Sequence, residues 1–164
     1  MNENFVPGGC LPCLGRGASL SIWSLRLSAC NRSDTPYLYD HISGEFGEAA
    51  DRFMGALYDL SVLLGRRGGR ALVLAPPNVA AITKDEATLL RAFSACQTNR
   101  ASIVERNVAA LLSRSAAQQE LGIVRDYAAV FLEQGLTINS LETSLPAAAI
   151  HRPKIVSSPY AGHA

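Results

Sequence analysis

Thr83-Lys84-Asp85-Glu86-Ala87-Thr88-Leu89-Leu90-Arg91-Ala92-Phe93 opens a proline-free stretch that runs to Gly135 with apolar residues at helical spacing. Thr83-x-x-Glu86 has the spacing of a capping box, in which each side chain answers the other's backbone amide. Leu89, Leu90, Phe93 and Cys96 then form one apolar face. Val104, Val108 and Leu111 continue nearly in phase. Gln97 and Arg100 would fall inside the stripe, however, and Thr98 and Asn99 are breaking or capping types. A break over residues 97–101 is therefore expected. Ser115-x-x-Gln118 is a second capping-box spacing, followed by Leu121, Val124, Ala128, Phe131 and Leu132, with Gly135 as the stop.

Working outward, Phe46, Ala50, Phe53, Leu57, Leu60 and Leu64 recur at alternating steps of four and three, which predicts a helix over 43–64. Ser43 is its expected cap, Glu45, Glu48 and Asp51 suit its amino end, and Gly65 is its expected stop. Gly65-Arg66-Arg67-Gly68-Gly69-Arg70 reads as a turn. Ala71-Leu72-Val73-Leu74-Ala75, closed by Pro76-Pro77, reads as a short buried strand. Residues 20–27 alternate Trp23, Leu25 and Leu27 with serines and Arg26, which favours a strand, although Leu20, Trp23, Leu27 and Cys30 also follow helical spacing; if both 20–27 and 71–75 are strands, they are expected to pair. Residues 31–39 are a connection. The expected class is mainly α, a bundle of about four helices with a minor two-strand element, and α+β is the alternative. The expected organisation is a flexible segment over 1–17, one helical domain over 18–139 and a flexible tail over 140–164. Phe46, Phe53, Leu57, Leu60, Phe93, Val104, Leu111, Leu121, Val124 and Phe131 are the expected core.

Fifteen basic and fourteen acidic side chains leave a formal charge of +1, so no whole-molecule attraction to nucleic acid or anionic lipid is expected. The amino terminus lacks the positive start of a secretory signal, and no window is long and apolar enough to span a membrane. A cytoplasmic protein without membrane partners is expected.

Cys10-Leu11-Pro12-Cys13 is the one ligand-type spacing. With Cys30 and His41 it would offer four zinc ligands, but a second close pair is missing, and incidental thiols are the expected reading. Cys96 is expected to be a buried, inert thiol. Arg66, Arg67 and Arg70 in the glycine-rich turn, and Arg100 and Arg106 further on, are the candidate contacts for an anion or nucleic acid. No nucleophile elbow, zinc-protease motif, dinucleotide fingerprint or Walker loop occurs in the sequence. No cofactor is called for, and catalysis is not the expected role.

Ala71-Leu72-Val73-Leu74 followed by Ile82-Thr83-Lys84-Asp85-Glu86-Ala87-Thr88-Leu89-Leu90-Arg91-Ala92-Phe93 resembles the strand-to-first-helix entry of response-regulator winged-helix domains. That resemblance implies DNA binding, with the helix bearing Arg100, Glu105, Arg106 and Asn107 in the recognition position. The pattern then departs from the family, because another helix stands where the wing hairpin belongs. The leading expectation is a non-catalytic regulatory or adaptor protein, or a complex subunit, that binds another protein or itself as a homodimer. A DNA-binding regulator is the alternative, and a small zinc module the second alternative.

Overall fold

In the computed structural model, residues 3–30, 35–66 and 69–141 are described, and they form a mainly helical fold with a small two-stranded antiparallel sheet. The chain begins with β1 (Phe5–Cys10), a 3-10 turn (Leu11–Cys13) and α1 (Arg16–Cys30). Next come α2 (Thr35–Phe46), a second 3-10 turn (Gly47–Ala49) and α3 (Ala50–Arg66). After an irregular stretch follow β2 (Ala81–Thr83), α4 (Lys84–Gln97), α5 (Ala101–Leu112) and α6 (Gln118–Glu133). α4 packs on α5 and α6, and α6 packs on α3.

Helices α3 to α6 form where apolar residues recur at helical spacing, and α4 has a side-chain cap as well. At the start of α4 the Thr83 hydroxyl accepts from Glu86 N at 3.1 Å, and the Glu86 carboxylate accepts from Thr83 N at 2.8 Å. The expected break falls between α4 and α5, where Asn99 adopts a left-handed φ of 54°. Gly135 has a φ of 71° and closes α6: its amide donates to Leu132 O and the Leu136 amide to Phe131 O, both at 2.9 Å. This is the double bond pattern that satisfies the last carbonyls of a helix. The start of α6 differs from expectation. Ala117 is the N-cap, and the Glu120 carboxylate accepts from its amide at 2.8 Å.

All ten expected core residues are buried. An aromatic chain runs through the centre, with ring centroids 4.6 Å apart for Phe46–Phe53, 5.5 Å for Phe53–Phe131, 5.3 Å for Phe131–Tyr127 and 5.0 Å for Tyr127–Phe93. Such tilted and edge-on pairs add to the burial of their area.

Residues 20–27 are helix, not strand, and lie inside α1. Their serines are buried with local partners: Ser21 Oγ donates to Ala18 O at 2.9 Å and Ser24 Oγ to Ser21 O at 3.1 Å. Ser24 Oγ also meets Tyr127 OH at 3.0 Å, and that phenol donates to Ser21 O at 3.0 Å. Arg26 is wholly buried against Glu86. The apparent alternation therefore came from polar groups that are inside, each answered by a partner.

Residues 71–75 are likewise no strand. Their amides bond to side chains, with Val73 N donating to Asp85 Oδ2 at 2.8 Å and Ala75 N to Glu86 Oε1 at 2.9 Å. The sheet instead joins β1 to β2, so residues 5–17 are structured and not loop-like. Phe5 faces Thr83 and Cys10 faces Ala81, and the longer strand takes up its excess in a bulge at Gly8, φ 73°. The expected helix over 43–64 is two helices, α2 and α3, with Ser43 inside the first and Gly65 inside the second. Pro36 sits in the first turn of α2, where its missing amide costs nothing. At the other end, residues 136–138 dock on the helices: Gln97 Oε1 accepts from Ile138 N at 2.7 Å, and Gln97 Nε2 donates to Ala128 O and Leu136 O. Residues 142–164 of the expected tail lie outside the described residues.

Candidate functional site: an aromatic cleft and an arginine recess

Two concave regions draw on residue types suited to binding. The first lies between α1 and α2. Trp23, one turn past Leu20 on α1, meets the His41 ring at 4.7 Å and the Tyr37 ring edge-on at 6.2 Å. Tyr37 and His41 stand one helical turn apart on α2, so both rings reach the same side. Leu11 and Pro12 from the first 3-10 turn close one wall of a cleft of about 460 Å³. Arg16 and Glu45 form an ion pair at its rim. Tyr37 is 63% exposed there.

The second region lies between α4 and α5. Arg91 and Ser94 share a face of α4; Arg100, Ile103, Arg106 and Asn107 follow one another along a face of α5. With Ser140 they line a recess of about 320 Å³. Arg100 Nε donates to Thr98 Oγ1 at 3.0 Å, which leaves the outer edge of its guanidinium unengaged by that bond. Asn107 Nδ2 donates to Ile103 O at 2.7 Å.

The sequence-derived candidates divide between these regions and elsewhere. Arg100 and Arg106 come together in the recess, where Arg91 joins them. Arg70 does not take part: it grips Asp85 through two bonds of 2.6 and 2.7 Å, which lowers the Asp85 pKa below the usual carboxylate range. Arg66 ends α3, its side chain lying outside the description, and Arg67 lies outside the described residues. The four zinc candidates are not gathered. Cys10 and Cys13 adjoin each other, Cys30 ends α1 at the far end from them, and the His41 ring lies tilted against Trp23. Among the described residues no group of three metal-ligating side chains forms.

Hydrogen bonding to Cys10 raises the Cys13 thiol pKa, which disfavours the thiolate a redox motif needs. Cys96 is partly buried against the core, not wholly buried as expected, and that burial pushes its thiol up to about 11. No helix among the described residues is long and apolar enough to cross a membrane.

Sequence reasoning missed the aromatic cleft because α1 was read as a strand and residues 31–39 as a connection. The available signal was Tyr37, His41 and Glu45 at successive steps of four. Arg91 was missed because one arginine on an amphipathic helix reads as solvated surface. No protein-family model matches this chain, and neither a curated protein nor a solved structure shows significant similarity to it.

Proposed function

We propose that the protein is a non-catalytic binding protein, a regulatory or adaptor protein or a complex subunit, that takes a partner protein into the aromatic cleft between α1 and α2. The observation that carries this reading is the exposed Tyr37 ring beside Trp23 and His41. Aromatic side chains offer a large contact area at low conformational cost and are enriched where protein surfaces meet. Leu11 and Pro12 extend the apolar wall, and Arg16 and Glu45 neutralise each other on the rim. That combination favours an uncharged stretch of polypeptide over nucleic acid or an anionic surface. A second copy of the chain is the simplest such partner, and the cytoplasm the expected setting.

Trp23 is the chain's one tryptophan, so its emission reports directly on the cleft. Sedimentation over a concentration series, and capture of a partner from native extract, are compared for wild type and Tyr37→Ala. Association should shift the Trp23 emission to the blue, and Tyr37→Ala should weaken association by about tenfold or more, as expected for an aromatic anchor. Association indifferent to Tyr37, with unchanged Trp23 emission, would sink the reading.

A DNA-binding regulator is the second reading, favoured by Arg100 and Arg106 on one face of α5. It calls for retention on duplex DNA that falls steeply with salt and weakens in Arg100→Ala. It ranks second because α6 follows α5 where a wing hairpin would be needed.

A further inference from the structure

The two residues between Cys10 and Cys13 are Leu11 and Pro12, the same two that close one wall of the aromatic cleft. Cys10 ends β1 and caps a 3-10 turn whose last residue is Cys13. Side chains three positions apart on such a turn eclipse one another, and its ends lie within about 7 Å at Cα. A disulfide asks for a Cα separation of about 4.4–6.8 Å, a span that a turn of this kind covers. The two thiols hydrogen-bond each other, and neither is in a disulfide.

The fold holds this turn in place. Cys10 faces Ala81 across the sheet, Leu11 N donates to Ala80 O at 2.7 Å, and Ser19 Oγ on α1 donates to Leu11 O at 2.9 Å. Leu14, the next residue, is buried in the core. Groups held side by side react with each other as though highly concentrated, because their freedom has already been lost on folding. The other two thiols are placed differently. Cys30 lies at the far end of α1, about 21 Å along that helix, and Cys96 is half-buried in α4. Cys13 is exposed, so a small molecule can reach it, and Cys10 is half-buried.

We propose that Cys10 and Cys13 are a reversible dithiol–disulfide site, oxidised by a small organic disulfide, whose pairing resets the wall of the aromatic cleft. The Cys13 sulfur, as thiolate, attacks one sulfur of the small disulfide and forms a mixed disulfide. One small thiolate leaves and takes up the Cys13 proton. The Cys10 thiolate then attacks the Cys13 sulfur and breaks the mixed bond; the second small thiolate leaves and takes up the Cys10 proton. Two protein thiols are oxidised, one small disulfide is reduced to two thiols, and excess small thiol reverses both steps. The raised pKa of Cys13 keeps its thiolate scarce, which suits a slow modification and not a turnover catalyst. Pairing draws the sulfurs from hydrogen-bond contact to about 2.05 Å, and Leu11 and Pro12 move with the turn that closes around them. The effect on a partner rests on the cleft reading above; the pairing itself does not.

The test uses the full chain, reduced and then equilibrated with mixtures of oxidised and reduced glutathione, and read by mass, by peptide mapping and by Trp23 emission. Wild type should lose two hydrogens, map the new bond to Cys10 and Cys13, and hold less than about a tenth of its Cys13 as mixed disulfide. Cys10→Ser should instead accumulate the mixed disulfide at Cys13. Cys13→Ser should form no internal bond and keep its helical circular dichroism. Trp23 emission should shift on pairing in wild type and stay unmoved in Cys13→Ser under the same mixtures. Tyr37→Ala should pair its thiols as wild type does. Pairing with the Trp23 shift, but without association in either state, would support this site and refute the partner reading alone. A mixed disulfide as persistent in wild type as in Cys10→Ser would overturn the proposal. So would a bond mapped to Cys30 or Cys96, or pairing that leaves the Trp23 emission unchanged.

Discussion

Replacing Arg26 by methionine tests the most consequential contact in the molecule. Arg26 and Glu86 are both fully buried, and two bonds of 2.7 and 2.8 Å join them. The remaining guanidinium donors go to carbonyls: Val79 at 2.5 Å, Ala81 at 2.8 Å and Pro76 at 3.3 Å. Glu86 in turn accepts from Thr83 N and Ala75 N. One arginine on α1 thus holds the 71–81 stretch, β2 and the cap of α4 together. Methionine preserves much of the apolar stem, so packing changes little, but the buried carboxylate is left with only its two backbone donors. One-sided removal of a buried partner costs about 3–5 kcal/mol. Domains of this size are stable by roughly 5–15 kcal/mol, so the variant should lose a large share of its stability.

Urea unfolding, followed by far-ultraviolet circular dichroism and Trp23 emission, measures the loss. Glu86→Gln in the same chain provides the second arm, because it removes the stranded charge while keeping an oxygen for Ala75 or Thr83. The double variant should then be more stable than the sum of the two single losses, by about 1–3 kcal/mol. A cost below about 1 kcal/mol for Arg26→Met, or a double variant additive within about 0.5 kcal/mol, would refute the assignment of this pair as the clamp.

Tyr127→Phe should cost about 1–2 kcal/mol in urea unfolding, because it strips the buried Ser21 carbonyl and Ser24 hydroxyl of a partner. Gly17→Ala should lower the thermal midpoint, since the added methyl would press into the Thr137 carbonyl, whereas Gly122→Ala on α6 meets nothing and should gain up to about 1 kcal/mol. Asp85 has its pKa depressed by Arg70, so it favours the folded state above the ordinary aspartate pKa near 3.9, and that contribution is lost as pH falls through the folded value. Unfolding curves at falling pH should show a shallower acid loss in Asp85→Asn than in wild type; an unchanged acid limb would dismiss the Arg70 contact as a source of acid sensitivity.

What could be read from the sequence depended on how far each residue's partner lies along the chain. Helices α3 to α6 are written locally: Phe53, Leu57 and Leu60 mark a face, while Thr83, Glu86 and Gly135 mark ends. The pattern of α1 depends on remote groups. Ser24 is answered by Tyr127 and Arg26 by Glu86, so polarity at those positions gave no sign of burial. Glu86 shows the limit clearly. Its spacing from Thr83 disclosed a cap, but nothing local disclosed that the same carboxylate neutralises an arginine on α1. Gln97 looked like a flaw in an apolar stripe and is a clasp for residues 136–138. Arg100 and Arg106 were visible as candidates one at a time. Their convergence with Arg91 needed the turn at Asn99, which folds α5 back against α4.

The buried ionisable groups are committed to structural contacts. A general base needs an oxygen or nitrogen free to take a proton from a bound substrate. Glu86, the most deeply buried carboxylate among the described residues, receives two amide and two guanidinium donors, which occupy the acceptor sites a carboxylate has. Asp85 is filled by Arg70 and Val73. The Tyr127 phenol is buried, with its pKa raised by that burial, and is bonded to Ser21 and Ser24. These groups are committed to holding elements together. The cleft of Trp23, Tyr37 and His41 faces outward instead, and it is the feature the proposed partner reading uses. That proposed reading needs no proton transfer, and Tyr37→Ala tests it while leaving the Arg26–Glu86 clamp intact.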